Sequence, residues 1–239
     1  MQQDQQQMQM MGYDRASTVF SPDGRLLQVE YAKKTVRQGT SAIGMVCKDG
    51  VVLMADKRVL EKFVISKSIE KVFQVDEHIG ATASGLIGDA RVLIERAQIV
   101  SQQHKITYDE PIDMQSLVKD VCNVKQAYTQ YGGARPFGVS IIFAGIDENE
   151  PRVFLTDITG IYFEYKVAVI GEAEDRIKAI FEKEYKDNLI IDDGIMLGIK
   201  SLKKVLGKDF DLSRIECIYI KTSEKKFTRL EQSSLKKYL

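Results

Sequence analysis

The order in which its apolar patterns arrive constrains this chain more than any single motif does. Strand-like runs come in contiguous groups, over residues 40–84, 137–170 and 214–230. Pairs of helical patterns, over residues 86–131 and 171–207, separate these groups. Strands that follow one another through short turns pair antiparallel, whereas a parallel sheet needs a crossover between its strands. Each helical pattern carries an apolar stripe that must be buried against a sheet. Two stacked antiparallel sheets with a helix layer on each outer side would satisfy every apolar face. A two-layer α+β fold is also compatible with the periodicity alone.

The local signals are specific. Lys48-Asp49-Gly50 between two apolar runs predicts a hairpin over residues 40–56. A second strand pair is expected over residues 69–84, with Ile69, Val72 and Val75 in its first strand. Its second strand, Ile79 to Ser84, is rich in small residues that would admit a helix or a neighbouring subunit closely. A helix from about Leu86 to His104 would bury Ala90, Leu93, Ile94, Ala97 and Val100. Asp113 is expected to cap a second helix, with Met114, Leu117, Val118, Val121 and Tyr128 inward, ending at Tyr131-Gly132-Gly133. Further strands are predicted at Phe137–Ala144, Arg152–Thr156 and Ile161–Ile170. Gly171 would open a third helix, and Asp192 or Asp193 a fourth that ends at Gly207. Arg214–Lys221 reads as a strand pairing with Phe227–Leu230, and a short charged helix follows Glu231. The acid pairs Glu172/Glu174 and Asp192/Asp193 suit helix starts better than acid–base catalysis.

Composition narrows the function classes. At 239 residues and 44% hydrophobic, the chain can bury one sizeable core without needing a second domain. Zero net charge gives no pull toward nucleic acid or an anionic membrane. There is no apolar run of the roughly 18 residues that a membrane helix needs, and no signal peptide. Cys47, Cys122 and Cys217 are odd in number and far apart, which suits reduced thiols and a cytoplasmic location. His78 and His104 have no partner at metal-ligand spacing, so neither a metal nor another cofactor is expected. Residues 1–12 form a Gln-rich tail too polar to fold alone.

The most specific stretch is Tyr13–Tyr31, YDRASTVFSPDGRLLQVEY. Ser21-Pro22-Asp23-Gly24 suits a type I turn, and Leu26, Leu27, Glu30 and Tyr31 follow at helical spacing. The stretch resembles, almost residue for residue, the N-terminal signature of proteasome α subunits, most closely the archaeal kind. The resemblance covers residues 13 to about 230. It implies an α+β fold, the four-layer αββα sandwich of N-terminal-nucleophile hydrolases with an extra N-terminal helix. It also implies one domain over residues 13–239, preceded by a flexible gate tail over residues 1–12.

What the resemblance implies about function is a non-catalytic subunit. Such chains form seven-membered α rings that cap rings of proteolytic β subunits, gate entry of unfolded protein, and dock a regulatory ATPase through its C-terminal tails. Tyr13, Asp14, Pro22 and Tyr31 match the cluster that holds the gate open. Gly39, Lys71 and Leu86 match the pocket for the activator's tail, and Tyr131, Gly132 and Gly133 match the channel constriction.

A rival reading is a threonine-type hydrolase matured at Thr40. The hairpin TSAIGMVCKDGVVLMADK resembles that of the catalytic β subunits, with Gly39 before the nucleophile position and Asp56 at the catalytic aspartate. The lysine those enzymes need aligns here with Val72, and strand alternation would turn Lys71 to the other face. Uncleaved, Thr40 has neither a free amine nor a general base. An unrelated α+β scaffold protein is the third reading.

Overall fold

Asp49-Gly50 turns the chain between two apolar runs, and β1 (Ala42–Cys47) and β2 (Gly50–Asp56) pair antiparallel from Cys47 and Gly50 outward. The structure is a computed structural model that describes residue 12 and residues 15–58, 63–65 and 68–239. The remaining strands are β3 (Val72–Asp76), β4 (Ile79–Gly85), β5 (Val139–Asp147), β6 (Glu150–Thr156) and β7 (Tyr162–Glu164). After them come β8 (Val167–Ile170), β9 (Ile215–Lys221) and β10 (Phe227–Arg229). They form two five-stranded sheets, ordered β10-β9-β2-β1-β8 and β3-β4-β5-β6-β7, with every pair antiparallel.

Strand alternation divides the core into layers. Along β2, Val51, Leu53 and Ala55 point between the sheets, where they meet Ile142, Ala144 and Val153 of β5 and β6. Val52 and Met54 point outward, under α4 (Glu174–Glu184) and α5 (Ile191–Leu206), which bury Ile177, Phe181, Ile195 and Leu202 there. On the other sheet, α2 (Ile87–Tyr108) and α3 (Met114–Tyr128) bury Leu93, Ile94, Leu117 and Val121 against Ala81, Ile141 and Phe143. This is the expected αββα sandwich. The extra helix, α1 (Leu27–Gln38), packs on β4 and β5 and shares a small core of Val29, Ala32 and Val36 with Ile158. A short α6 (Gln232–Leu235) closes the chain on the α5 side through Leu235 and Tyr238.

Several local expectations are corrected. Ile161–Ile170 is not one strand. Tyr165 N donates to Val153 O in one sheet, whereas Lys166 O accepts from Val46 N in the other, so the chain changes sheets between them. No glycine or proline marks that step, so the sequence gives no sign of it. Ile69 lies before β3, because the N–H groups of Lys71 and Val72 are held by the Glu216 carboxylate rather than by a strand. The first β5 residue is Val139, not Phe137. Helix α2 runs past His104 to Tyr108, where Asp109 takes a left-handed conformation. Tyr128 is 38% exposed and rests on Phe137 at the edge of the core rather than inside it. Asp113 caps α3 through Ser116 N, as expected, but α4 and α5 have no side-chain cap. Glu174 and Asp192/Asp193 lie in the first turns instead, where they favour the helix dipole.

The inter-sheet layer gives a direct test. Ile142 is fully buried within it. Replacing Ile142 by Ala is expected to lower stability by about 2–5 kcal/mol, read from urea unfolding of the purified chain.

Candidate functional site

The end of the sandwich beneath α1 gathers the charged groups that the core excludes. Gly39 follows α1 and is pressed onto the end of β4. A Cβ there would stand 2.3 Å from Ser84 Oγ and 2.5 Å from Gly85 N, so only glycine fits. Ser84 Oγ donates to Val36 O and Thr40 O, each at 3.1 Å, and Thr35 Oγ1 donates to Gly138 O at 3.0 Å. The small residues of β4 thus admit a helix end, as the sequence suggested. Leu86 follows Gly85, starts α2 and keeps a half-exposed side chain.

Lys71 completes this group. Its side chain is buried, and Nζ donates to Ala83 O at 3.2 Å and Thr40 O at 3.4 Å. Its backbone is held as well, by Glu216 at the N–H and by Thr82 Oγ1 donating to the carbonyl. Burial lowers the amine to about 8, against the opposing pull of Asp56 and Glu216. Gly39, Lys71 and Leu86 therefore converge on residues 83–86, although they are up to 47 positions apart in sequence.

This geometry overturns one sequence argument. Lys71 precedes β3, so strand alternation does not govern it, and its ammonium lies on the Thr40 side. Asp56 is fully buried and engaged elsewhere: Arg214 Nε and Nη2 grip its two oxygens at 2.9 and 2.8 Å. Thr40 itself lies under α1, whose packing with Ile158 and whose bonds to Ser84 and Gly138 cover this end.

The other predicted residues fall nearby or outside the described part. Tyr13 and Asp14 lie outside the described residues. Pro22 is exposed in a turn closed by Gly24 N donating to Ser21 O at 2.8 Å. Tyr31 is partly buried on α1, with Lys34 Nζ 5.5 Å from its ring centre. Tyr131 is exposed after α3, and Gly133 has φ +83°, a left-handed conformation that favours glycine. Ser17 Oγ donates to Tyr131 O at 3.4 Å, so the N-terminal segment meets this loop.

Sequence reasoning missed the clamps. Arg135 grips Asp89 at 2.6 and 2.7 Å, and Asp89 also accepts from Gly138 N. That fixes the Tyr131–Gly133 loop to the start of α2. Asp89 reads in sequence only as a first-turn acid. Glu216 holds Lys57 Nζ at 3.0 Å besides the Lys71 and Val72 amides, and nothing in an alternating strand marks it. The Asp56–Arg214 pair is also testable. Replacing Arg214 by Ala leaves Asp56 buried without its partner and should destabilise by about 3–5 kcal/mol in urea unfolding. The double change with Asp56→Asn should cost clearly less.

Comparison with known proteins agrees with this architecture. A family model described as "Proteasome subunit" matches residues 36–220, and a second, for the N-terminal signature of the α-type proteasome chains, matches residues 13–34. The proteasome alpha subunit of Archaeoglobus fulgidus is 49% identical over 96% of this chain and 93% of its own length. That of Methanocaldococcus jannaschii is 48% identical over 97% of this chain and 90% of its own. That of Methanosarcina acetivorans is 46% identical over 96% and 93%. With the α signature, the proteasome-subunit match over most of its length and relatives of this closeness, the chain belongs to the proteasome α subunits, of the archaeal type.

Proposed function

We propose that this chain serves as the non-catalytic α subunit of a proteasome core particle. It forms the outer seven-membered ring, gates the entry of unfolded protein to the β chamber, and docks an ATPase activator in the cytoplasm. Residues 13–239 act as one domain and residues 1–12 as the gate tail. The observation that carries the reading is the buried Lys71 amine beside Gly39 and Leu86. Its two carbonyl partners are at 3.2 and 3.4 Å, and neither is charged, so an arriving carboxylate would be a stronger partner. Gly39 leaves backbone room and Leu86 an apolar wall for the tail that carries it.

The position of Lys71 near Thr40 favours, on its face, the rival hydrolase. Maturation at Thr40 would strip away α1 and uncover Ile158, on which it packs, and Asp56 is already held by Arg214. The intact mass of the purified chain separates the two readings: 27.0 kDa excludes maturation.

The Tyr131–Gly133 loop acts as the channel constriction, a reading supported by the hydrogen bond from Ser17 of the N-terminal segment to Tyr131 O. Deleting residues 2–12 should raise peptide hydrolysis by the assembled particle without activator. Unchanged basal hydrolysis would count against the tail as plug.

Lys71→Ala should abolish ATPase-stimulated degradation while leaving ring assembly and basal peptide hydrolysis intact. A charge-assisted bond of this kind contributes about 1.5–3 kcal/mol, a roughly tenfold to hundredfold change in affinity. Docking should also depend on pH. The charged amine is the form that holds a carboxylate, and burial has lowered it to about 8. Affinity for a tail peptide should therefore be highest below that value and fall as the pH rises through it, with the loss absent in Lys71→Ala.

A further inference from the structure

A groove of about 330 Å³ lies between α4 and α5. Ala179, Ile180 and Val205 supply its apolar lining, and Arg176, Lys183 and Lys204 stand around them. Other cations of these two helices are taken: Lys178 pairs with Glu174, and Lys200 with Glu184. Arg176, Lys183 and Lys204 are exposed and have no ion-pair or hydrogen-bond partner among the described residues. Glu184, the one acid that lines the groove, is already held by Lys200 at 2.6 Å. The groove therefore keeps three unanswered positive charges in a chain whose net charge is zero.

Their spacing says what could answer them. Residues 176, 179, 180 and 183 fall at i, i+3, i+4 and i+7, which is one face of a helix. Arg176 and Lys183 thus stand two turns apart, about 10 Å along α4, with Ala179 and Ile180 between them. A single small anion cannot reach both. A nucleic acid would bring a continuous phosphate charge past Asp175 and Glu182, which are exposed on the same helix. The groove also offers no aromatic ring on which a base could stack. A helix of another protein meets each requirement, because its own face repeats at the same spacing: two acids two turns apart, with apolar side chains between.

We propose that this groove docks an acidic amphipathic helix of a partner protein. Its apolar side chains rest on Ala179, Ile180 and Val205, and its acids pair with Arg176, Lys183 and Lys204. The site uses neither Lys71 nor a chain terminus, so it is separate from the docking proposed above.

The probe is a fluorescein-labelled, Ala-rich helical peptide of about four turns, with Glu two turns apart and Leu between them. Both its ends are blocked, so it carries no terminal carboxylate for Lys71. Binding to the purified chain is followed by fluorescence anisotropy. It should be saturable and weaken with added salt. In the double variant Arg176→Glu/Lys183→Glu it should weaken by about tenfold or more, because like charges then face each other. Both residues are exposed, so the melting temperature of that variant should match the wild type. The same peptide with Lys in place of Glu should fail on the wild type and bind the double variant. Lys71→Ala should bind the Glu peptide as the wild type does, which separates this site from the activator reading. No saturable binding, binding undiminished by the charge reversal, or a Lys peptide that does not recover on the variant overturns the proposal. Tighter binding of an oligo-dT strand or a phosphatidylserine vesicle, lost in the same variant, overturns it in favour of a phosphate ligand.

Discussion

The buried carboxylate of Glu216 joins the two halves of this molecule. It stands on β9, in one sheet, and accepts from the backbone N–H groups of Lys71 and Val72, where the other sheet begins. Lys57, at the end of β2, supplies the countercharge at 3.0 Å. A buried carboxylate without such partners would be strongly unfavourable. With them it sets where β3 starts and what Lys71 does. Because the backbone of Lys71 bonds to a side chain and not to a strand, its own side chain is free of strand alternation. Lys71 therefore owes its position to a residue 145 places further along the chain.

The fold was legible because layer structure is written in periodicity and turn chemistry. Asp49-Gly50 marked the first hairpin, and Asp113 marked the start of α3. The apolar stripes of α2 to α5 each required a sheet, and contiguous strands required antiparallel pairing. What stayed hidden was non-local. The change of sheets at Tyr165-Lys166 has no glycine or proline to mark it. The Asp89–Arg135 and Asp56–Arg214 pairs join residues 46 and 158 positions apart, and composition gives no sign of either. The candidate site was readable only through resemblance. Geometry then added the convergence of Gly39, Lys71 and Leu86 on one strand end, and corrected the direction of Lys71.

Among the described residues Lys57, Lys71 and Lys125 are buried, and the surroundings of the last two differ. Lys125 of α3 is fully buried and donates to Thr156 Oγ1 at 3.0 Å, and burial lowers its amine to about 8. Thr156 in turn donates to Ile141 O, so Lys125 ties α3 to β6 and β5. The adjoining turn carries Ile158, on which α1 rests. Lys125 is thus enclosed by structure on all sides. Lys71 has a similarly lowered amine but donates to the carbonyls of Thr40 and Ala83, at the strand end that half-exposed Leu86 follows. Burial alone does not distinguish a binding amine from a structural one. The distinction lies in what a ligand can reach.

Helix α1 connects these observations. It occupies the end of the sandwich by three kinds of contact: apolar packing on Ile158, hydroxyl bonds from Ser84 and to Gly138, and the close approach of Gly39 to Ser84. The last two use small or polar residues, since a larger side chain at Gly39 or Gly138 would collide with its neighbours. Thr40 is left beneath the helix with its carbonyl facing the Lys71 amine. An N-terminal-nucleophile enzyme needs the opposite arrangement, a free amine at the threonine and an open cleft above it. The contacts that seat α1 and those that position Lys71 share the carbonyl of Thr40 and the end of β4. On the proposed reading, covering the nucleophile position and building the docking end are therefore one structural step, because the helix that closes the cleft also supplies the Gly39 wall beside the lysine.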